Sequence, residues 1–539
     1  GEFFIATIFI QLITYTQTVA QTSWIPDPNF GTSGVTRVDF APSYSDFPND
    51  ILLLPDNKIL TAGKSEGSEG YFISMSQLLS NGQPDVTGFG LDGEVMLHFV
   101  LRDHANDFER QPDGKILVAG SEAVGNGASQ ITASLYRFNS DGTLDTAFAD
   151  GGKVIHRLSP TQASQFYRIK VLPDGRIWAI GGGSPDAGFG AMRFLSNGQL
   201  DQNFGSGGIA NLHLSDLGYH PVGCLFLSDT AVVMVSVIWS SAKYVLVMMD
   251  SSGTLHPEFG NNGIVFTNII GHLFAGRESL ALTSDGKILL ASTTPNSSPT
   301  KFSVSRFLID GTIDSTFGTN GRADIQLSSG DDICYDMKLS SDGKILLVGR
   351  AGSSNGVPGL IRLNPDGTPD STFAPDGKFI LDLNNNTGTH YLITCIPLDN
   401  GDILAAGYDF ASNSGDFMIV RLTQNPTGVD NQNFVQPNDF VLHQNYPNPF
   451  NPTTKISWQS PVSSHTILKV YDVLGNEVAT LVDEYKSAGN YEVGFTADGL
   501  ASGIYFYRLF VVPVAQRDLV PKDGQAGSFV QTKKMLLLK

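Results

Sequence analysis

Charge is scarce in this chain of 539 residues: Asp, Glu, Lys and Arg make up 16% of it, and 53 acidic residues against 34 basic ones leave a formal net charge of −19. Phosphate backbones and anionic membranes are held by clustered Lys and Arg, so this balance excludes nucleic acid and acidic lipid as partners. Cysteine is scarcer still. Three residues cannot all pair, which argues against a disulfide framework. Cys224 and Cys395 each stand five positions before the Asp or Asn of a recurring turn, where other copies carry Ile51, Phe108, Ile169, Leu280 and Met337; cysteine there reads as a small core hydrophobe. Cys334 lies three positions earlier in its own copy, on the opposite face if that strand pairs regularly. Long amphipathic helical patterns are hard to find. No G-x-S-x-G, H-E-x-x-H or Walker loop occurs, and the ten histidines do not recur in register, so the familiar routes to a catalytic assignment are closed.

The one pronounced apolar stretch, FFIATIFIQLITY near the start, is too short to span a bilayer. Thr18, Val19 and Ala20 follow it as small residues before Gln21, so residues 1–20 read as a truncated signal peptide, with no transmembrane segment.

Glycine and aromatics are plentiful instead, with 58 Gly and 10% Phe, Trp and Tyr. They are organised in repeats. A turn of the type LPDGKIL recurs at Asp56, Asp113, Asp174, Asp229, Asp285, Asp342 and Asn400, spaced 55 to 61 residues apart. Each turn joins an alternating strand to an almost wholly apolar one, such as KILVAG, the signature of a strand covered on both faces. A third strand of the FSVSRF type follows a variable loop, then a motif such as RFNSDGTLDTAFADGGK (137–153), then a short fourth strand. Four strands per unit and seven units predict an all-β fold: a seven-bladed β-propeller over residues 24–422. Its two ends complement each other. The first piece, DPNFGTSGVTRVDF, is a motif and a fourth strand alone, while the last unit stops at FMIVRLTQNP. Pairing of Val35–Phe40 with Phe417–Leu422 would close the ring and leave no free edge.

Within the motif, Asp-Gly supplies a tight turn with an Asx cap, and Phe30, Phe148, Phe204, Phe259, Phe317 and Phe373 are spaced to fill the gaps between blades. Arg137 and Asp145, Arg193 and Asp201, Arg306 and Asp314, and Arg362 and Asp370 share a spacing of eight. Both change together to Met248 and His256, whereas Gln77 with Asp85 departs from the rule. This pattern predicts a half-buried, bidentate Arg–Asp pair that is structural. No EF-hand spacing accompanies these aspartates; calcium stays open as a cofactor, and no metal ligands are assigned. A polar residue recurs five positions after the motif's last Gly, at Asp39, His98, Arg157, His213, Asn268, Gln326 and Asp382. Alternation places it on a solvated outer strand. The loops between second and third strands differ in every copy, on the ring face opposite the constant turns. There Trp239, Tyr408, Phe410 and Asp186 are suited to stack on or bond a ligand such as a glycan or a surface protein.

The tail differs in charge: residues 441–539 hold nine basic and eight acidic residues, leaving 25 and 45 for the rest. After an Asn/Gln-rich linker, 423–440, short alternating strands read as a small Ig-like β-sandwich. Tyr446-Pro447-Asn448-Pro449-Phe450, VYDVLGNEV, ASGIYFYRL and the basic Lys533-Lys534 together resemble the type A C-terminal sorting domain of the type IX secretion system, over 441–539. One departure is the stretch VVPVAQRDLVPKDGQAGS, longer than the usual hairpin. The resemblance implies recognition by that secretion machinery and delivery to the outside, or to the outer surface, of a Gram-negative bacterium. The repeats resemble delta-sixty repeat propellers, a family known as a fold. Together these readings predict an exported binding or structural propeller. The alternatives are an extracellular polysaccharide lyase or hydrolase, and a subunit of a surface assembly or filament.

Overall fold

The computed structural model describes residues 23–40, 44–68, 70–98, 102–123, 131–157, 163–183, 189–212, 219–227, 231–238, 241, 243–270, 279–294, 299–352, 356–383, 389–410, 415–425, 440–460, 464–486, 489–497, 499–513 and 529–538. The leader at 1–20, Trp239, Asp186, His213, most of the linker and most of the long insertion after Val511 lie outside the described residues.

The described residues from Ser23 to Asn425 build seven antiparallel blades. Blade 3 shows the common order, from inner to outer strand: Ser164–Val171, Ile177–Gly183, Phe189–Phe194 and Ile209–Leu212. The second and third strands are buried on both faces, as in Ala231–Ile238 and Phe302–Phe307, where every residue is buried; this is why they read as nearly continuous apolar runs. The fourth strand is outermost. Of the recurrent polar residues at or beyond its end, Asp39, Asn268 and Asp382 are exposed.

Each inner strand packs on the next, and the strand at Thr389–Pro397 packs on Asp46–Leu53, so the ring closes. Closure is made by the N-terminus. Val35–Val38 pairs with Asp416–Asn425 in the register Val35 to Val420 through Val38 to Phe417, and Ser23–Pro26 continues along the same strand, from Pro26 opposite Leu422. The last blade therefore joins chain segments almost 400 residues apart.

One feature of the inner strands departs from regular pairing. A β-bulge recurs at the same place in five blades besides the last, between Pro48 and Asp50, Ala105 and Asp107, Phe166 and Arg168, Pro221 and Gly223, and Cys334 and Asp336, and again between Leu392 and Thr394. An extra residue reverses the alternation beyond it. Cys334 consequently lies on the same side as Met337, both buried in one core cluster, and the regular-pairing expectation of an opposite face does not hold.

The tail forms two sheets, one of Val441–Leu442, Thr453–Ser460 and Gly489–Thr496, the other of Glu477–Lys486, Ser464–Tyr471, Gly503–Pro513 and Phe529–Leu537. Their shared core includes Phe450, Trp458, Tyr507, Leu509 and Met535.

Candidate functional site

The repeated motif assembles a clamp between neighbouring blades. Arg137 Nε donates to Asp145 Oδ2 at 2.7 Å, its guanidinium lies 4.4 Å from the centre of the Phe148 ring, and Nη1 donates to Ser196 O of the following blade at 2.7 Å. Arg193 meets Asp201 at 2.7 Å, Arg306 meets Asp314 at 2.8 Å and Arg362 meets Asp370 at 2.7 Å, each guanidinium over the motif's Phe. The pairs are not bidentate. One carboxylate oxygen takes Arg Nε while the other caps its own turn, as Asp314 Oδ1 does from Thr316 N. A basic residue from the first turn joins each site, Lys115 at 2.7 Å from Asp145, Arg176 at 3.6 Å from Asp201, Lys287 at 3.1 Å from Asp314 and Lys344 at 3.0 Å from Asp370. Burial alone would raise Asp145, but its hydrogen bonds from Lys115 and Arg137 outweigh burial and hold it below the usual carboxylate range. Gly198, at φ +89°, stands where a Cβ would come within 2.9 Å of the Phe148 ring, so the Asn197-Gly198 turn serves both the hairpin and the passage of the plug. These groups engage one another and offer nothing to a ligand.

The bulges gather a second set of side chains around the ring axis. Asp50, Asp107, Arg168, Ser279, Asp336 and Thr394 occupy one position in six inner strands. Thr394 Oγ1 bridges Asp336 Oδ2 at 2.9 Å and Asp50 Oδ1 at 3.1 Å. Lys338 Nζ lies 2.9 Å from Asp336, and Arg168 Nη1 lies 3.7 Å from Asp107. Each aspartate also caps an inner-strand N–H, Ile51 on Asp50, Ile169 on Asp107 and Met337 on Asp336. Burial opposes ionisation of Asp336, yet Lys338 overrides it and the carboxyl stays below its ordinary range. Nearby, burial pushes the Cys224 thiol up to about 12 and raises Cys395 well above its ordinary value. Both are protonated and unreactive at neutral pH.

Tyr408 belongs to a third arrangement, at the end of the channel where the inner strands begin. Tyr335 stacks on Tyr391 with ring centres 5.2 Å apart, Tyr391 meets Tyr408 at 5.3 Å, and Tyr408 stacks on Phe47 at 5.1 Å and 4° between planes. Lys64 Nζ then stands 5.0 Å from the centre of Phe47 and 4.8 Å from that of Tyr71, whose ring meets His104. The arc runs from blade 6 through blade 7 to blades 1 and 2. Tyr408 itself is buried and joins the arc from within; Phe410 stacks behind it at 6.1 Å, half-buried. Tyr335, Tyr391, Phe47 and Tyr71 are half-exposed at the mouth. Arg350 lies by Tyr335 and Tyr391, with a buried Nε that makes no hydrogen bond. Burial lowers Lys64, with Glu66 acting only at longer range. Sequence reasoning reached Tyr408 and Phe410 but missed the rest, whose inner-strand members come from two different positions of the repeat. A recess of about 350 Å³ on the constant-turn face, lined by Asp56, Lys58 and Arg110 among others, offers less, because its Lys58 already pairs with Asp85 at 2.9 Å.

In the tail, Tyr446 is 81% exposed while Phe450 is buried. Asn448 Oδ1 accepts from Leu536 N at 2.9 Å, and Pro447 O accepts from Asn445 Nδ2 and Thr454 Oγ1. Pro447 and Pro449 both follow cis peptide bonds. Lys533 and Lys534 lie on the last strand, Lys534 exposed.

Comparison with known families finds matches in both parts. The domain of unknown function DUF5122 beta-propeller matches residues 111–148, 283–317 and 340–373, each match ending at a plug phenylalanine, and the secretion system C-terminal sorting domain matches 444–510. The ring thus carries three stretches that match the DUF5122 beta-propeller, and the tail matches a secretion system C-terminal sorting domain. The chain is exported by the type IX system to the cell surface or the extracellular space. No helix among its described residues is long and apolar enough to cross a membrane. No curated protein matches it. Among solved structures, it resembles a protein of unknown function from Dyadobacter fermentans at 14% identity and TM-score 0.38, covering 60% of this chain and 94% of that one. It also resembles the polysaccharide lyase Uly1 at 10% identity and TM-score 0.41, covering 70% and 89%. Likeness of this degree assigns no chemistry.

Proposed function

We propose that the ring is an exported recognition module that binds an acidic carbohydrate at the channel mouth. The observation that supports this reading is the arc Tyr335, Tyr391, Tyr408 and Phe47, flanked by Arg350 at one end and Lys64 at the other. Half-exposed aromatic rings offer the apolar face of a sugar a stacking surface. Among the described residues, neither Lys64 nor Arg350 has a carboxylate within salt-bridge reach, so a ligand uronate or sulfate would supply the missing partner. Loops that differ in sequence from copy to copy suit recognition on a rigid scaffold.

The enzymatic alternative would draw on Asp50, Asp107 and Asp336 at the axis. General acid–base work needs a carboxyl free to exchange its proton, whereas these three are occupied by Lys338, Arg168, Thr394 and backbone amides. Screening the full chain on an array of neutral, uronate-bearing and sulfated polysaccharides tests the binding reading. It expects acidic glycans among the hits and at least a tenfold loss with Tyr391→Ala or Tyr335→Ala at unchanged circular dichroism. Absence of any hit, or hits untouched by both substitutions, would contradict it.

A further inference from the structure

The seam where the ring closes carries a second, separate cluster. Asp39 follows the closing strand Val35–Val38, Asp416 opens the strand that it pairs with, and Asp46 opens the inner strand of blade 1. One carboxylate oxygen from each of the three lies within 4.8 Å of the others. Oxygens bound to one calcium ion at about 2.4 Å lie within about 4.8 Å of one another, so the cluster has the spacing that a shared ion requires, small side-chain adjustments bringing all three into reach. The nearby Arg37 is bonded through Nε to Asp409 Oδ2 and reaches Asp416 only through space.

A second observation is independent of the clustering. Asp46 is fully buried; its Oδ2 accepts from Phe40 N at 2.9 Å, while Oδ1 makes no hydrogen bond. Ser65, directly opposite Asp46 in the sheet and also fully buried, turns its hydroxyl toward the same carboxyl without closing a well-formed hydrogen bond. Buried polar atoms without partners are rare in folded proteins and call for an explanation. Hard oxygen ligands, two of them on accessible carboxylates, fit a hard divalent cation better than a softer metal.

We propose that Asp39, Asp46 and Asp416 form a calcium site that ties the N-terminal closing strand to the last and first blades. It goes beyond the carbohydrate reading and does not depend on it. Asp416 joins Asp39 and Asp46 only when the ring is closed, so the three-carboxylate site exists in the folded state alone and an ion there stabilises it by mass action. Affinity of the kind found in extracellular modules, about 10⁻⁴ to 10⁻³ M, suits an exported protein.

The test is calorimetric titration of calcium chloride into the full-length, EDTA-treated protein, with thermal unfolding in EDTA and in millimolar calcium. The expected result is one ion per chain and a higher unfolding temperature in calcium. Asp39→Asn combined with Asp416→Asn should weaken binding at least tenfold and abolish the calcium-dependent shift. Identical unfolding in EDTA and calcium overturns the proposal, as does weak binding of several ions that the double variant leaves unchanged. The wild-type comparison decides the matter even if the variant fails to fold.

Discussion

Arg421 donates from Nε to Asp27 at 2.6 Å across 394 residues of sequence, and the same guanidinium covers Phe30 and donates to Ser80 O of blade 1 at 2.8 Å. It is the Arg–Asp–Phe clamp of four other blades, divided between the two ends of the propeller. Ring closure thus repeats the contact made by Arg137, Arg193, Arg306 and Arg362.

Replacing Arg421 by Ala should therefore destabilise the ring as much as a cut in any internal clamp. Leaving Asp27, which is mostly buried, without its cation costs about 2 to 4 kcal/mol. Urea unfolding of Arg421→Ala beside Arg306→Ala checks this; a closure clamp that contributes nothing would show a wild-type midpoint for the first and a lowered one for the second.

The clamps also set an acid limit. Asp314 is held below its ordinary value of 3.8, first by its hydrogen bond from Thr316 and then by Lys287 and Arg306. Burial would raise Asp370, but Thr372, Lys344 and Arg362 bring it down to about 2. A carboxyl with a depressed folded pKa contributes stability that is present above the unfolded value and lost as pH falls through the folded one. Unfolding temperature should therefore fall steeply between about pH 4 and pH 2. Asp314→Asn with Asp370→Asn should flatten that slope while lowering stability at pH 7; an unchanged slope would assign the acid sensitivity elsewhere.

Phe317 is fully buried, with Gly367 of the next blade against its ring at φ +89°. Phe317→Ala should cost about 3 to 5 kcal/mol through the cavity it leaves. Gly367→Ala should cost about 1 to 3 kcal/mol, since a Cβ there would stand 2.8 Å from the ring and in a strained conformation. Both are read from denaturant midpoints.

Much of this was legible in the sequence, for identifiable reasons. The two-residue and four-strand periodicities, the Asp-Gly turns and the complementary ends carry the ring and its closure because they are local patterns repeated seven times. The bulge was not legible. It has no residue signature, being Asn49, Asn106, Tyr167, Val222, Tyr335 and Ile393 in turn, yet it turns Cys334 into the core and gathers Asp50, Asp107 and Asp336 at the axis. Arg421 and Asp27 escaped notice because a spacing of eight becomes 394 when the chain is cut within a blade. The arc was half-seen: Tyr408 and Phe410 lie beside a variable loop, whereas Phe47, Tyr335 and Tyr391 sit on inner strands where they read as ordinary alternation.

The sorting domain makes a separate prediction. Tyr507 is buried and its hydroxyl both accepts from Asn445 N and donates to His443 O at 2.8 Å, anchoring the segment that precedes Tyr446. Deleting residues 441–539 should leave the ring in the periplasm. Tyr507→Phe should lower the stability of the sandwich by about 1 to 3 kcal/mol. Fractionation of the producing cells reads the first outcome and urea unfolding of the full chain the second; export of the truncated ring would contradict the assigned route.

The most direct measurement is equilibrium binding of one uronate-bearing polysaccharide and its carboxyl-reduced counterpart to the full-length protein and to Lys64→Met with Arg350→Met. The account predicts at least tenfold tighter binding of the acidic form by the wild type, a preference that disappears in the double variant while its unfolding temperature is retained. Equal binding of both forms, or an acidic preference that survives the loss of both cations, would contradict it.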